Sequence, residues 1–271
     1  MANRRGKQLL HQIYRRMAIR VARAYRTVSH TAATILAGMP PMELYAQMYA
    51  EIYRRTRELR ELGMVLTKET KAALRLQARR RMMEGWNEHL SDHQETSGKR
   101  VVEAIRPRLF EWVKRRGGGR TSFRMTQIFT GHGCFGEYLC RIGRERTAQC
   151  HHCDDDRDTT QHTLEHCQAW VQERRVLVDI VGNDLSLPGI IAAMLRDERS
   201  WMAVSSFCET VMSQKEEAER ERERLPNSGR TPSQGRRAGT GRGRRRRPLS
   251  RIQGPRTQAR PTGAPNTRGA S

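Results

Sequence analysis

Three cysteines and one histidine stand at a spacing that suits a metal: Cys150, Cys153, His162 and Cys167 form a C-x2-C-x8-H-x4-C array. Thiolate sulfur and imidazole nitrogen are the ligand types of tetrahedral divalent zinc. Four protein ligands leave no position open for a reactive water, so the expected role is structural, with one zinc ion. A Cys-x-x-Cys alone would also fit a redox pair, but no strand-helix pattern surrounds this one and a second half follows at a compatible distance. His151, His152 and His166 are adjacent alternatives, and His162 with His166 would give an H-x3-H half. Cys167 is the preferred fourth ligand because thiolate binds zinc more strongly than a further neutral imidazole. Cys134, Cys140 and Cys208 read as small core residues rather than ligands.

No other cluster reads as a reactive site, so no catalytic residue is expected. Gly131, Gly133 and Gly136 are too irregular for a phosphate loop, no G-x-x-x-x-G-K-[ST] occurs, and a tight turn between helices accounts for them. No apolar run reaches membrane-spanning length, and the Arg-rich start lacks the apolar stretch of a signal peptide, so neither a membrane nor a small-molecule substrate is expected. Free thiols fit a reducing compartment, and the expected location is intracellular and nuclear.

Charge sets the partner class. The chain carries a formal net +22, with arginine far outnumbering lysine, which predicts attraction to a polyanion such as nucleic acid. Twelve arginines and no Asp or Glu lie between Pro226 and Ser271, among them Arg244, Arg245, Arg246 and Arg247. That tail holds +12 of the charge and too little apolar surface to fold, so it is expected to be a disordered phosphate-binding arm, a localisation signal, or both.

The elements that must position the metal array are helical almost everywhere. Apolar residues recur every three or four positions from Leu9 to Val28, predicting one basic helix that ends near Gly38. Pro40-Pro41 then separates it from helices over about 42–61 and from Thr67 to about Leu90. The second of these has a thin apolar face interrupted by Arg79, Arg80 and Arg81, which predicts a partly exposed helix. Further helices are expected over about 100–116, from Ser122 through Ile128, around Trp170 to Val181, from Ser186, and over 197–224, the last ending in a charged, solvated stretch from Lys215. Gly117-Gly118-Gly119 marks a boundary. Asp158, Thr159 and Thr160 read as the start of a helix between the two ligand pairs. The expected fold class is therefore all-α: an elongated multi-helix assembly with a small zinc knuckle and a disordered basic tail.

These residues carry a resemblance. The run from Thr130 to Leu139, with Gly131-His132-Gly133-Cys134-Phe135-Gly136 inside it, followed by the metal array, Trp170, and Trp201 to Glu209 with Phe207-Cys208-Glu209, resembles the C-terminal part of arthropod non-LTR retrotransposon reverse transcriptases. So do Ala24-Tyr25-Arg26-Thr27-Val28-Ser29 and Leu36-Ala37-Gly38-Met39-Pro40-Pro41, over about residues 10 to 224 in all. The resemblance implies a terminal CCHC knuckle with Cys150, Cys153, His162 and Cys167 as ligands. The chain is accordingly read as four segments: 1–65, basic and helical, resembling the region after the polymerase palm and thumb; 66–120, connecting helices; 121–225, a helical domain with the knuckle; and 226–271, the disordered basic tail. The aromatic-x-Asp-Asp turn that holds magnesium in that family's polymerase is missing, as are its endonuclease and ribonuclease H carboxylates, and Asp154-Asp155-Asp156 sits between metal ligands instead. The chain therefore resembles a truncated element or partial product, lacking the polymerase domain and without catalysis of its own.

Between Cys150 and Cys167, five carboxylates face Arg157 alone, so phosphate is expected to be repelled there. Flanking Arg141, Arg144, Arg146, Arg174 and Arg175 are the expected backbone contacts to RNA, DNA or both. Two other readings stay open: an enzyme remnant that acts only with the missing palm domain, and a helical protein-interaction module whose basicity serves localisation.

Overall fold

Residues 4–91, 97–115 and 121–224 are described by a computed structural model, and all their regular structure is helical, with no strand among them. The tail over 226–271, including Arg244 to Arg247, and the expected boundary at Gly117 to Gly119 lie outside these described residues. The all-α expectation holds.

The expected single helix from Leu9 to Gly38 is two: α1, Arg4–Ala22, and α2, His30–Ala37. Arg23 takes a left-handed φ of 55° and stops α1, and Ser29 starts α2 by accepting from the Ala32 amide at 3.2 Å. Arg15 holds the connection by donating to the Arg26 and Val28 carbonyls at 2.7 and 2.8 Å. Five of the eight residues of α2 are apolar, and the helix is buried from Ala32 through Leu36. α1 buries Ala18, Ile19 and Ala22, while Leu9, Ile13, Met17 and Val21, spaced four apart, form an exposed stripe.

Helices α3, Met42–Glu61, and α4, Lys68–Ser91, pack as an antiparallel hairpin. α4 is partly exposed, as expected, but its C-terminal half enters the core through Ala78, Met82, Met83, Trp86 and Leu90. The reason is periodicity: Ala78, Met82, Trp86 and Leu90 recur every fourth residue, so Arg79, Arg80 and Arg81 fall together on the solvent side. The helix expected over 100–116 is also broken. Pro107 removes a backbone donor and the chain tightens into a 3-10 turn, Arg106–Arg108, between α5, Lys99–Ile105, and α6, Leu109–Lys114. Trp112 of α6 is fully buried and its indole N–H donates to the Ile35 carbonyl at 2.9 Å, tying α6 to the end of α2.

The second half follows the expected order: α7, Phe123–Thr130; α8, Gly136–Arg141; a π-helical turn, His162–His166; a 3-10 turn, Gln168–Trp170; α9, Val171–Val181; α10, Leu187–Arg196; and α11, Glu198–Arg224. α5 packs against α2, α7 and α10, and α11 packs against α7, α9 and α10. Buried side chains from Ala18 to Met212 thereby form one continuous hydrophobic cluster. The end of α11 is not the solvated stretch expected, because Lys215 and Glu219 are buried.

Gly136, the first residue of α8, lies against the chain that leads into the metal array. A Cβ there would fall 2.5 Å from the Ala148 carbonyl oxygen and closer still to that of Gln149, both backbone atoms with little room to yield. Gly136→Ala should therefore destabilise the protein by about 1–3 kcal/mol. Gly6, in α1 with nothing near its missing Cβ, offers the contrast, and Gly6→Ala should stabilise by about 0.5–1 kcal/mol. Urea unfolding followed by circular dichroism measures both, and equal shifts would refute the steric account.

Candidate metal centre

Cys150 and Cys153 sit in a tight loop closed by two backbone bonds, Cys150 N–H to the Asp155 carbonyl at 2.7 Å and Asp154 N–H to the Cys150 carbonyl at 2.9 Å. Asp154 makes the turn possible with a φ of 59°, a conformation that Asp tolerates better than most residues. The other two ligands come from the π-helical turn. Five residues along an α-helix of about 3.6 residues per turn would leave Cys167 about 140° from the face of His162. The wider π-turn, closed by Cys167 N–H on the His162 carbonyl at 2.8 Å, brings the two side chains onto one side.

The four ligand atoms all lie within 4.8 Å of one another, and the residues are buried except for half-buried Cys153. Cys150 and Cys167 sulfurs are 3.9 Å apart, and Cys153 Sγ is 3.3 Å from His162 Nε2. A tetrahedron with sulfurs about 2.3 Å and a nitrogen about 2.1 Å from its centre has edges between roughly 3.5 and 3.8 Å, so the residues present fit an ion of that size. His162 turns its other nitrogen, Nδ1, toward Asp155, whose exposed carboxylate oxygen lies 3.8 Å away, beyond hydrogen-bond reach. The alternative ligands lie elsewhere. His166 is exposed beside Glu165, His151 faces Glu145, and His152 packs its ring on Trp170 at 5.0 Å between centroids. Burial in that position lowers the pKa of His152. Cys208 is buried in the core and Cys134 and Cys140 are half-buried, all three outside the cluster.

A hydrogen bond from Cys167 holds the Cys150 thiol well below the usual thiol range, against its burial, with the His152 and Cys153 amides and the Lys215 ammonium also lowering it. The same shared proton pushes Cys167 up. Arg174 reaches from α9 to the end of the π-turn, donating to the Leu164 and Cys167 carbonyls at 2.7 Å each and to that of Thr163 at 3.3 Å. These are carbonyls that the end of a helix leaves without an internal partner.

Asp158 joins the cluster to the rest of the fold. Its carboxylate accepts from the Gly136 amide at 2.9 Å, which is the start of α8, and pairs with Lys215 of α11 through both oxygens at 2.9 Å. Its backbone N–H bonds the Ala148 carbonyl and its own carbonyl accepts from Glu137. The two side chains are 1% and 3% exposed. Sequence spacing alone reads Asp158 as a helix cap and Lys215 as surface. A signal for Lys215 does exist, since Val204, Cys208, Val211, Lys215 and Glu219 continue one seam of α11 at three- and four-residue steps. The carboxylates of Asp154, Asp155 and Asp156 stay exposed, whereas that of Asp158 is neutralised by Lys215.

The flanking arginines take different places. Arg141 is exposed, with its guanidinium 5.2 Å from the Tyr138 ring. Arg144 pairs with Glu223 and, at 3.9 Å, with Glu219. Arg146 and Arg175 are exposed. Arg174 is taken up by the carbonyl contacts above.

No protein-family model matches the chain, and no solved structure matches it. It is 26% identical over 215 residues to a "Retrovirus-related Pol polyprotein from type-1 retrotransposable element R1 4" of Nasonia vitripennis, a match covering 78% of this chain and 54% of the relative. The chain thus spans about half the length of the curated relative that it matches. A continuous stretch of that length includes Cys150 to Cys167 wherever it begins. The resemblance to non-LTR retrotransposon proteins is borne out, and the chain is related to a retrotransposon Pol polyprotein.

Removing one member of the buried pair strands the other. Asp158→Ala should cost about 3–5 kcal/mol, whereas Asp158→Leu combined with Lys215→Met should recover much of that loss. A urea-unfolding double-mutant cycle decides it: losses that simply add would show that the two groups do not act as a pair.

Proposed function

We propose that this chain is the nucleic-acid-binding C-terminal part of a non-LTR retrotransposon reverse transcriptase, and that its Cys3His cluster holds one structural zinc. The observation that carries this reading is the similarity to a Pol polyprotein across a stretch that contains the cluster. Three soft thiolates and an imidazole at tetrahedral spacing suit zinc better than harder or octahedral ions. Four protein ligands close the shell, so the metal would brace the loop, the π-turn and α9 rather than activate water.

Nucleic acid suits the charge distribution. The exposed acidic loop at Asp154 to Asp156 would turn phosphate away, and exposed arginines on the surrounding helices would receive it. RNA template and target DNA are both candidate ligands in this reading, and a nuclear location goes with it. Catalysis by the chain alone is not part of it. The only run of adjacent aspartates lies in the metal loop, where the carboxylates are exposed and on no strand, so they make no magnesium site for nucleotide transfer. A polymerase activity would need the palm domain that the resemblance implies. One observation favours a protein-interaction role alongside: the exposed apolar stripe of Leu9, Ile13, Met17 and Val21 on α1.

The purified protein should contain one zinc per chain by elemental analysis. Cys150→Ser or Cys167→Ser should lose it and melt the surrounding helices, since metal binding supplies much of the folding free energy of such sites. His166→Ala should retain it. Zinc loss on His166→Ala, or unchanged melting of the metal-free protein, would refute the assignment.

For the partner, fluorescence anisotropy with labelled RNA and DNA should show log affinity falling linearly with log salt, by roughly 0.7 to 0.9 per phosphate contact, with little dependence on sequence. No measurable binding at low salt would refute the nucleic-acid reading. Magnesium-dependent primer extension by the clean protein would refute the non-catalytic one.

A further inference from the structure

Bordering the chain that joins the two ligand pairs, the structure forms a cleft of about 710 Å³. Its walls come from three places distant in sequence: the start of α2, the start of α5, and α8 with the chain just before the π-turn. Four cationic side chains line it, Lys99, Arg100, Arg141 and Arg157, against the single carboxylate of Glu137, a formal balance of +3. That carboxylate is already engaged by Arg157, whose Nε lies 2.9 Å from it.

Arg100 is the informative group. It is held deep in the cleft by a single hydrogen bond, from Nη2 to Gln161 Oε1 at 3.0 Å, while its buried Nε–H has no hydrogen-bond partner. Burial lowers the Arg100 pKa despite the attraction of the nearby Glu165 carboxylate, so the guanidinium is incompletely compensated and an anion entering the cleft would offset the remaining cost. Beside it, Arg141 lies over the face of Tyr138, whose other neighbour is the His132 ring at 4.9 Å between centroids. A cationic and aromatic surface of this kind receives both phosphate and base. A concave volume within about 300–1,000 Å³ encloses a ligand the size of one or two nucleotides rather than a duplex.

We propose that this cleft binds the phosphodiester backbone of single-stranded nucleic acid, with Arg100 and Arg141 as its principal phosphate contacts. The proposal rests on the nucleic-acid reading above and deepens it, because it gathers Arg141 of α8 and Arg100 of α5 into one concave site instead of leaving the contact spread over the helices beside the metal. Lys99, Arg100 and Arg157 belong to no motif. Only the folding of α2, α5 and α8 against one another brings them together.

The test uses the full, zinc-loaded chain and fluorescein-labelled 20-nucleotide single-stranded RNA and DNA of one sequence, with the corresponding duplex as a third probe. Arg100→Gln with Arg141→Gln should weaken single-strand binding roughly tenfold or more. The same pair should reduce the salt slope by about 1.4, the share of two contacts. Arg54→Gln with Arg75→Gln removes equal charge from exposed positions of α3 and α4, outside the cleft, and should shift affinity only a few-fold. The basic tail acts equally on both pairs, so their difference reads the cleft. RNA against DNA separates the two sources of the same backbone. If circular dichroism or zinc content shows that loss of Arg100 unfolds the chain, Lys99→Gln with Arg141→Gln, both exposed, replaces it with the same expectation. Equal losses from cleft and control pairs would overturn the cleft, as would tighter binding of the duplex, or competition by a mononucleotide as effective per mole as the 20-mer. Failure of the unaltered protein to bind any probe would instead overturn the underlying nucleic-acid reading.

Discussion

The buried ion pair between Asp158 and Lys215 is the constraint on which this arrangement turns. Neither side chain reaches solvent, so each must be satisfied by the other and by nearby polar groups. Asp158 meets that demand by also accepting the first amide of α8, and it thereby fixes α8, α11 and the metal loop relative to one another. An apolar contact at the same place could slide; a two-oxygen bond to one ammonium cannot without leaving a charge stranded. The Lys215 ammonium also lies 5.3 Å from the Phe135 ring, so the pair is roofed by an aromatic side chain that further excludes water.

On one side of that pair the chain builds a metal cluster, and its geometry depends on local backbone departures rather than on regular helix. A left-handed aspartate closes the loop between Cys150 and Asp155, and the π-turn aligns His162 with Cys167. Such departures persist only when neighbours satisfy the backbone groups they expose. Arg174 does so for three carbonyls, which is why a residue that reads as a phosphate contact serves the fold instead. The charged end of α11 behaves alike. Arg124 binds Glu209 and Glu216, and Arg144 binds Glu219 and Glu223, so the helix is docked through its carboxylates.

The consequence is a separation of charge over a short distance. Acidic side chains crowd the exposed metal loop and the docked face of α11, whereas Lys99, Arg100 and Arg141 gather at the cleft. Among the described residues the charge is thus patterned rather than uniform.

Much of this was legible in the residues themselves. Helical periodicity, Ser122 as a cap and the glycine turn after α7 mark most elements, and the spacing of Cys150, Cys153, His162 and Cys167 marks the cluster, because these signals act within one turn or one loop. The break between α1 and α2, the split at Pro107 and the burial at the end of α11 were misread, since apolar spacing does not say which residues will find a neighbour. The destinations of Asp158, Lys215, Arg100 and Arg174 could not be read at all. A charged side chain is stable either in water or against a partner far away in sequence, and only the packing of α11 on α7 and α9, and of α5 on α2, decides which of the two it meets.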